Sequence, residues 1–167
     1  MIRSRDVRNR AKQVIAMFNV TGPPVEVNEI ARHLGFTVIP FEFPDEVSGV
    51  TFIEAGVKSI GVNSKHALTR QRFSVAHEIG HYLCGHEAYD GDKILVEETA
   101  RMLNAHSHQE MEANEFAAEL LMPVNWLRKD VGAIGLDVPA LAKRYQVSEQ
   151  AMWIQLIDHR LASQHGR

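Results

Sequence analysis

The chain has 167 residues, 45% hydrophobic and 23% charged, enough for one hydrophobic core and a prediction of one domain. Its net charge of −3 excludes a general attraction to nucleic-acid backbones. The single Cys84 excludes an internal disulfide framework, the N-terminus is charged, and no apolar run approaches the ~20 residues of a membrane span, so a cytoplasmic protein is expected.

Taken in order, Val7, Ala11, Val14, Ile15 and Phe18 recur at helical spacing and predict an amphipathic first helix, with Ser4 as its N-cap. Thr21-Gly-Pro-Pro24 stops it. Asn28 is expected to cap a short helix that carries Ile30 and Leu34 inward and ends at Gly35. From Phe36 the period changes. Phe36 to Glu42, Gly49 to Ile53 and Val57 to Asn63 are short β-branched and aromatic runs, the last two separated by Glu54-Ala-Gly56. They predict a small, mostly antiparallel sheet of three strands.

Thr69 is expected to cap the next helix, which presents Phe73, Ala76, His77, Gly80, His81 and Cys84 on one face and stops near Gly85. Within it, His77-Glu78-Ile79-Gly80-His81 has the H-E-x-x-H spacing of zinc metalloproteases. Two histidines one turn apart can offer imidazole nitrogens to one metal ion, with Glu78 about 100° round the helix as base. A glycine at position 80 destabilises a helix interior by roughly 1 kcal/mol against Ala, which predicts a close-passing neighbouring backbone. Residues 87–109 are polar and acidic, with a strand expected at Ile94 to Val96 and a helical turn around Ala100 to Leu103, an excursion that reads as a surface loop or a lid.

Glu110 to Pro123 is a strong helical pattern, and its four glutamates separate by phase. Stepping about 100° per residue, Glu110 falls on the stripe of Ala113, Ala117, Leu120 and Leu121, whereas Glu112, Glu115 and Glu119 fall opposite, where carboxylates normally face water. A carboxylate aimed into an apolar face needs compensation, and a divalent metal shared with His77 and His81 would provide it. Asn114, one turn on, is placed to hydrogen-bond a ligand from behind. Further on, Val124 to Asp130 suggests a short helix, Asp137 with Pro139 opens another, and Ser148 caps the last.

The pairing of RQRFSVAHEIGHYLCGH with E-x-x-A-N-x-F-A-A-x-L-L-M-P resembles the ImmA/IrrE family of zinc metallopeptidases, over about Val25 to Pro123. The resemblance implies an α+β, zincin-like fold, a Zn²⁺ cofactor held by His77, His81 and Glu110, and Glu78 as catalytic acid/base. It also implies a protein substrate, a helix-turn-helix repressor of the Xre or phage type, or a place in a toxin–antitoxin pair. Residues 1–123 would form the metallopeptidase-like domain with its N-terminal helices, and 124–167 a helical extension packed on it. His106 and His108, then Tyr82 and Arg101, are the candidates for stabilising the oxyanion of peptide hydrolysis. Cys84 is expected to be a buried structural thiol. His33, His66, His159 and His165 are expected at the surface.

Two other readings compete. LAKRYQVSEQAMWIQLIDHRLA has helix-turn-helix character, but its second helix begins Glu149-Gln150-Ala151-Met152-Trp153 and gains basic residues only at its end, which argues for packing or protein docking over DNA binding. A catalytically silent zinc-binding module would keep the same ligands without a substrate.

Overall fold

A computed structural model describes residues 4–86, 89–90 and 108–163. The expected strand and turn between Ile94 and Leu103, the candidates Arg101 and His106, and the expected surface residue His165 lie outside them.

The elements are α1 (Ser4–Met17), α2 (Val27–His33), β1 (Phe36–Phe41), β2 (Gly49–Glu54), β3 (Val57–Asn63), α3 (Leu68–Cys84), β4 (Tyr89–Asp90), α4 (His108–Leu121), α5 (Val124–Ile134), α6 (Val138–Tyr145) and α7 (Glu149–Asp158). The architecture is α+β, with a small mixed sheet and helices on both sides of it in sequence. Among the described residues the sheet has the order β1-β3-β2-β4. β2 and β3 form the expected antiparallel hairpin, in register from Gly49↔Val62 to Glu54↔Val57. β1 instead pairs with β3 in parallel, from Phe36↔Lys58 to Phe41↔Asn63, and β4 joins β2 in parallel at Phe52↔Tyr89 and Ile53↔Asp90. The sheet is therefore mixed, not mostly antiparallel. The cause is residues 42–48: they carry the chain across β3 instead of turning tightly, with Phe43 and Val47 packed on Val50. The buried Asn63 side-chain nitrogen holds this crossing by donating to the carbonyl of Val47 at 2.8 Å. β3 then fills the space between β1 and β2.

Three of the expected caps differ: Ser4 lies within α1, where its hydroxyl donates to Glu115, and the other two are displaced. α3 starts at Leu68 after Ala67, and α2 starts after Glu26; neither preceding residue makes a side-chain cap. Thr69 and Asn28 therefore sit inside the first turns. Asp137 and Ser148 cap as expected, accepting from Ala140 N at 3.0 Å and Ala151 N at 3.1 Å.

The main core joins α1, α2, the sheet, α3, α4 and the C-terminal helices, and Phe116, Ile79, Leu120, Tyr145, Met152 and Leu156 are fully buried in it. α3 and α4 pack most intimately at Gly80. A Cβ there would lie 3.1 Å from the Ala113 carbonyl oxygen and from Phe116 Cδ1, which is the close backbone approach that the glycine predicted. Gly80→Val is expected to lower the unfolding free energy by about 1–3 kcal/mol through overpacking, read by denaturant titration. Unchanged stability would mean that the two helices are not held at this distance.

Candidate metal centre

The contact at Gly80 sets the site, because the turn of α3 that carries His77 and His81 and the first turn of α4 are thereby brought face to face. His77 and His81 leave α3 on the side facing α4, and Glu110 comes from the first turn of α4. Their Nε2 atoms lie 2.9 Å apart; Glu110 Oε2 is 3.3 Å from His77 Nε2 and Oε1 is 3.3 Å from His81 Nε2. One donor atom from each of the three residues lies within 4.8 Å of the others, a group able to hold a metal ion. Two imidazoles and one carboxylate suit a catalytic site with room for a fourth ligand, and Zn²⁺ takes this donor set.

Burial disfavours the charged form of both imidazoles. At His77 the hydrogen bond to Glu110 and the charges of Glu78 and Glu110 outweigh it and the pKa rises. At His81 burial prevails, although Glu110 opposes it, and the pKa falls. Burial also opposes ionisation of Glu110, but hydrogen bonds and charge from His77 and His81 hold its carboxyl well below the usual carboxylate range. Glu110 thus brings an ionised carboxylate to the pair of imidazoles, which favours a cation there.

The flanking residues orient the donors. His77 Nδ1 is 2.9 Å from Asn114 Oδ1, the position that helical phase selects behind a ligand. An amide oxygen only accepts, so it places the proton on Nδ1 and leaves the Nε2 lone pair facing Glu110 and His81. Glu78, 2% exposed, accepts a hydrogen bond on Oε2 from Thr51 Oγ1 at 2.7 Å. Thr51, on β2, was not a sequence candidate, since nothing in its local pattern ties it to α3.

Of the remaining candidates, the described ones, Tyr82 and His108, are not brought into this cluster. Tyr82 sets its ring edge-on against Phe36 and its hydroxyl accepts from Lys58 Nζ at 3.1 Å, on the β1 side. His108 is exposed at the start of α4. Cys84 is buried, and burial pushes its thiol pKa up, as an inert structural thiol requires.

The solvent-facing assignment of three glutamates needs correction. Glu112 and Glu119 are 8% and 1% exposed, because α4 is packed by α3 on one side and α1 on the other. Glu115 accepts from Arg8 Nε on α1 at 2.6 Å. Glu119 faces Lys12 Nζ at 3.8 Å and His159 Nε2 at 3.4 Å, so His159 is also drawn inward. Glu112 meets His86, a second residue that the sequence did not assign, with Oε2 2.9 Å from His86 Nε2. A cavity of about 400 Å³ adjoins Asn114, walled by Phe73, Met111 and Ala118 and, from α7, by Ala151 and Ile154.

An α+β scaffold that opposes two histidines of one helix to a glutamate of the next is the arrangement used by metallopeptidases of the H-E-x-x-H type. The chain belongs to one such family, the IrrE N-terminal-like domain family Peptidase_M78, which residues 31–156 match. It is similar to the uncharacterized immunity region protein 2 of Bacillus phage phi105, 26% identical over 121 residues, 72% of this chain and 70% of the phage protein. A solved Mycobacterium tuberculosis transcriptional regulator shares the fold at TM-score 0.62 and 16% identity, over 97% of this chain. This chain spans about half of that regulator, 48% of its length. No helix among the described residues is long and apolar enough to cross a membrane.

Proposed function

We propose that this chain is a zinc-dependent endopeptidase that cuts a helix-turn-helix transcriptional repressor or an antitoxin partner and so relieves repression. The observation that carries the reading is the convergence of His77 Nε2, His81 Nε2 and Glu110, with Glu78 buried alongside. The phage relative, named for an immunity region, supports a repressor as the target.

In this reading His77, His81 and Glu110 hold Zn²⁺, which when bound supplies a Lewis acid for the scissile carbonyl and makes water more acidic. Glu78 takes a proton from the attacking water and returns it to the leaving amine. Thr51 holds Glu78 in place for both transfers. Among the described residues, β4 covers β2 only opposite Phe52 and Ile53. An extended peptide held beside Glu78 by main-chain hydrogen bonds would be bound largely blind to its sequence. Target choice then falls to side-chain sites such as the cavity beyond Asn114, of which α7 forms one wall. That gives the C-terminal helices a docking role and needs no contact with DNA.

Co-incubation with the helix-turn-helix regulator encoded beside this chain tests the reading. Discrete fragments that appear with zinc and disappear with a chelator are expected. An intact regulator at stoichiometric, zinc-loaded protein would favour the silent zinc-binding module.

A further inference from the structure

We propose that His86 and Glu112 act as a positioning pair for the metal centre, through a carboxylate–imidazole–imidazole chain that ends on the rear nitrogen of His81. The proposal rests on the reading of His77, His81 and Glu110 as metal ligands.

The chain is built by the way α3 ends. Gly85 takes the left-handed conformation at φ 75°, its N–H bonds the Tyr82 carbonyl, and the His86 N–H bonds the His81 carbonyl at 3.0 Å. This pair of bonds is the Schellman termination, in which the side chain just past the helix folds back on the one a turn and a half earlier. Usually that contact is hydrophobic. Here it is imidazole on imidazole, with ring centroids 5.0 Å apart and Nδ1 to Nδ1 2.9 Å. The far nitrogen of His86, Nε2, reaches Glu112 Oε2 at 2.9 Å. Both residues are 8% exposed.

The proton arrangement follows from the donors. For His81 to offer a lone pair at Nε2, its proton must sit on Nδ1, and that N–H needs an acceptor. His86 Nδ1 accepts only if the His86 proton is on Nε2, and the Glu112 carboxylate stabilises that tautomer by accepting from Nε2–H. The opposite tautomer would set two N–H groups against each other. The two histidine ligands are thus steadied differently, His77 by a neutral amide and His81 by a carboxylate acting through a second imidazole. A carboxylate behind a ligand imidazole raises its basicity and fixes the ring.

A purely structural role, tying the end of α3 to α4, is the competing explanation, and zinc affinity separates the two. Glu112→Gln and His86→Phe are each expected to weaken zinc binding by about 10–100-fold in a chelator competition, and the double variant no further than His86→Phe. The visible spectrum of the cobalt-substituted protein should shift in both single variants. Glu115→Gln removes another α4 carboxylate tie, to Arg8, and should leave both readouts unchanged. Zinc affinity unaltered in folded Glu112→Gln, or lowered equally in Glu115→Gln, would overturn the proposal; should His86→Phe not fold, Glu112→Gln alone decides. If the native chain binds no zinc, the ligand reading itself fails and the pair falls with it. If native zinc is lost in Glu110→Ala yet Glu112→Gln binds normally, only the positioning role fails.

Discussion

Glu78→Gln is expected to slow cleavage of the protein substrate by about 10²–10⁴-fold, the usual contribution of a positioned acid/base, while zinc content stays at about one ion per chain. The two effects separate because Glu78 is not one of the three converging donors. Glutamine keeps the shape, and its carbonyl oxygen can still accept from Thr51 Oγ1, so the β2–α3 contact survives. The amide cannot take a proton from water at neutral pH, so the loss should appear in kcat with little change in KM. Cleavage at the native rate by the zinc-loaded variant would refute Glu78 as the base and with it the mechanism.

Glu110→Ala should have the largest effect on metal content. Removing one donor of three leaves two imidazoles on one helix and deletes the negative charge that Glu110 brings to the pair. Zinc affinity should fall by more than the ~10–100-fold expected from supporting residues, and elemental analysis after dialysis should find the variant nearly metal-free. Glu115→Ala, whose carboxylate serves Arg8 on α1, should retain its zinc. The reverse pattern would contradict the geometry of the centre. Because the pKa of His77 is raised, protons compete with the metal for its Nε2 as the pH is lowered, so apparent affinity should fall toward acid pH.

Much of this centre is legible locally. The H-E-x-x-H spacing places His77 and His81 together by helical repeat alone, and the same arithmetic selects Glu110 and puts Asn114 one turn behind it. Gly80 likewise announced a close neighbour, although the partners, Ala113 and Phe116, became known only from packing. The termination of α3 was half visible. Gly85 was read as a stop, whereas His86 directly after it and His81 before it are the signature of a folded-back contact, a signal available in the sequence but not used.

What the sequence determines by itself is which residues share a face, because that depends only on residues within a few turns of one another. It yielded the three side chains that converge, the hairpin strands and the caps at Asp137 and Ser148. What the tertiary structure alone decided is how many faces of an element are covered and by what. α4 is enclosed by α3 and α1, so Glu112 and Glu119, on its polar side by phase, are buried and engaged. Residues 42–48 let β3 enter between β1 and β2, a choice made by Phe43 and Val47 packing on Val50 and by Asn63 binding the crossing chain. Thr51 behind Glu78, and Glu112 behind His86, join residues 27 and 26 positions apart, beyond the reach of any periodicity.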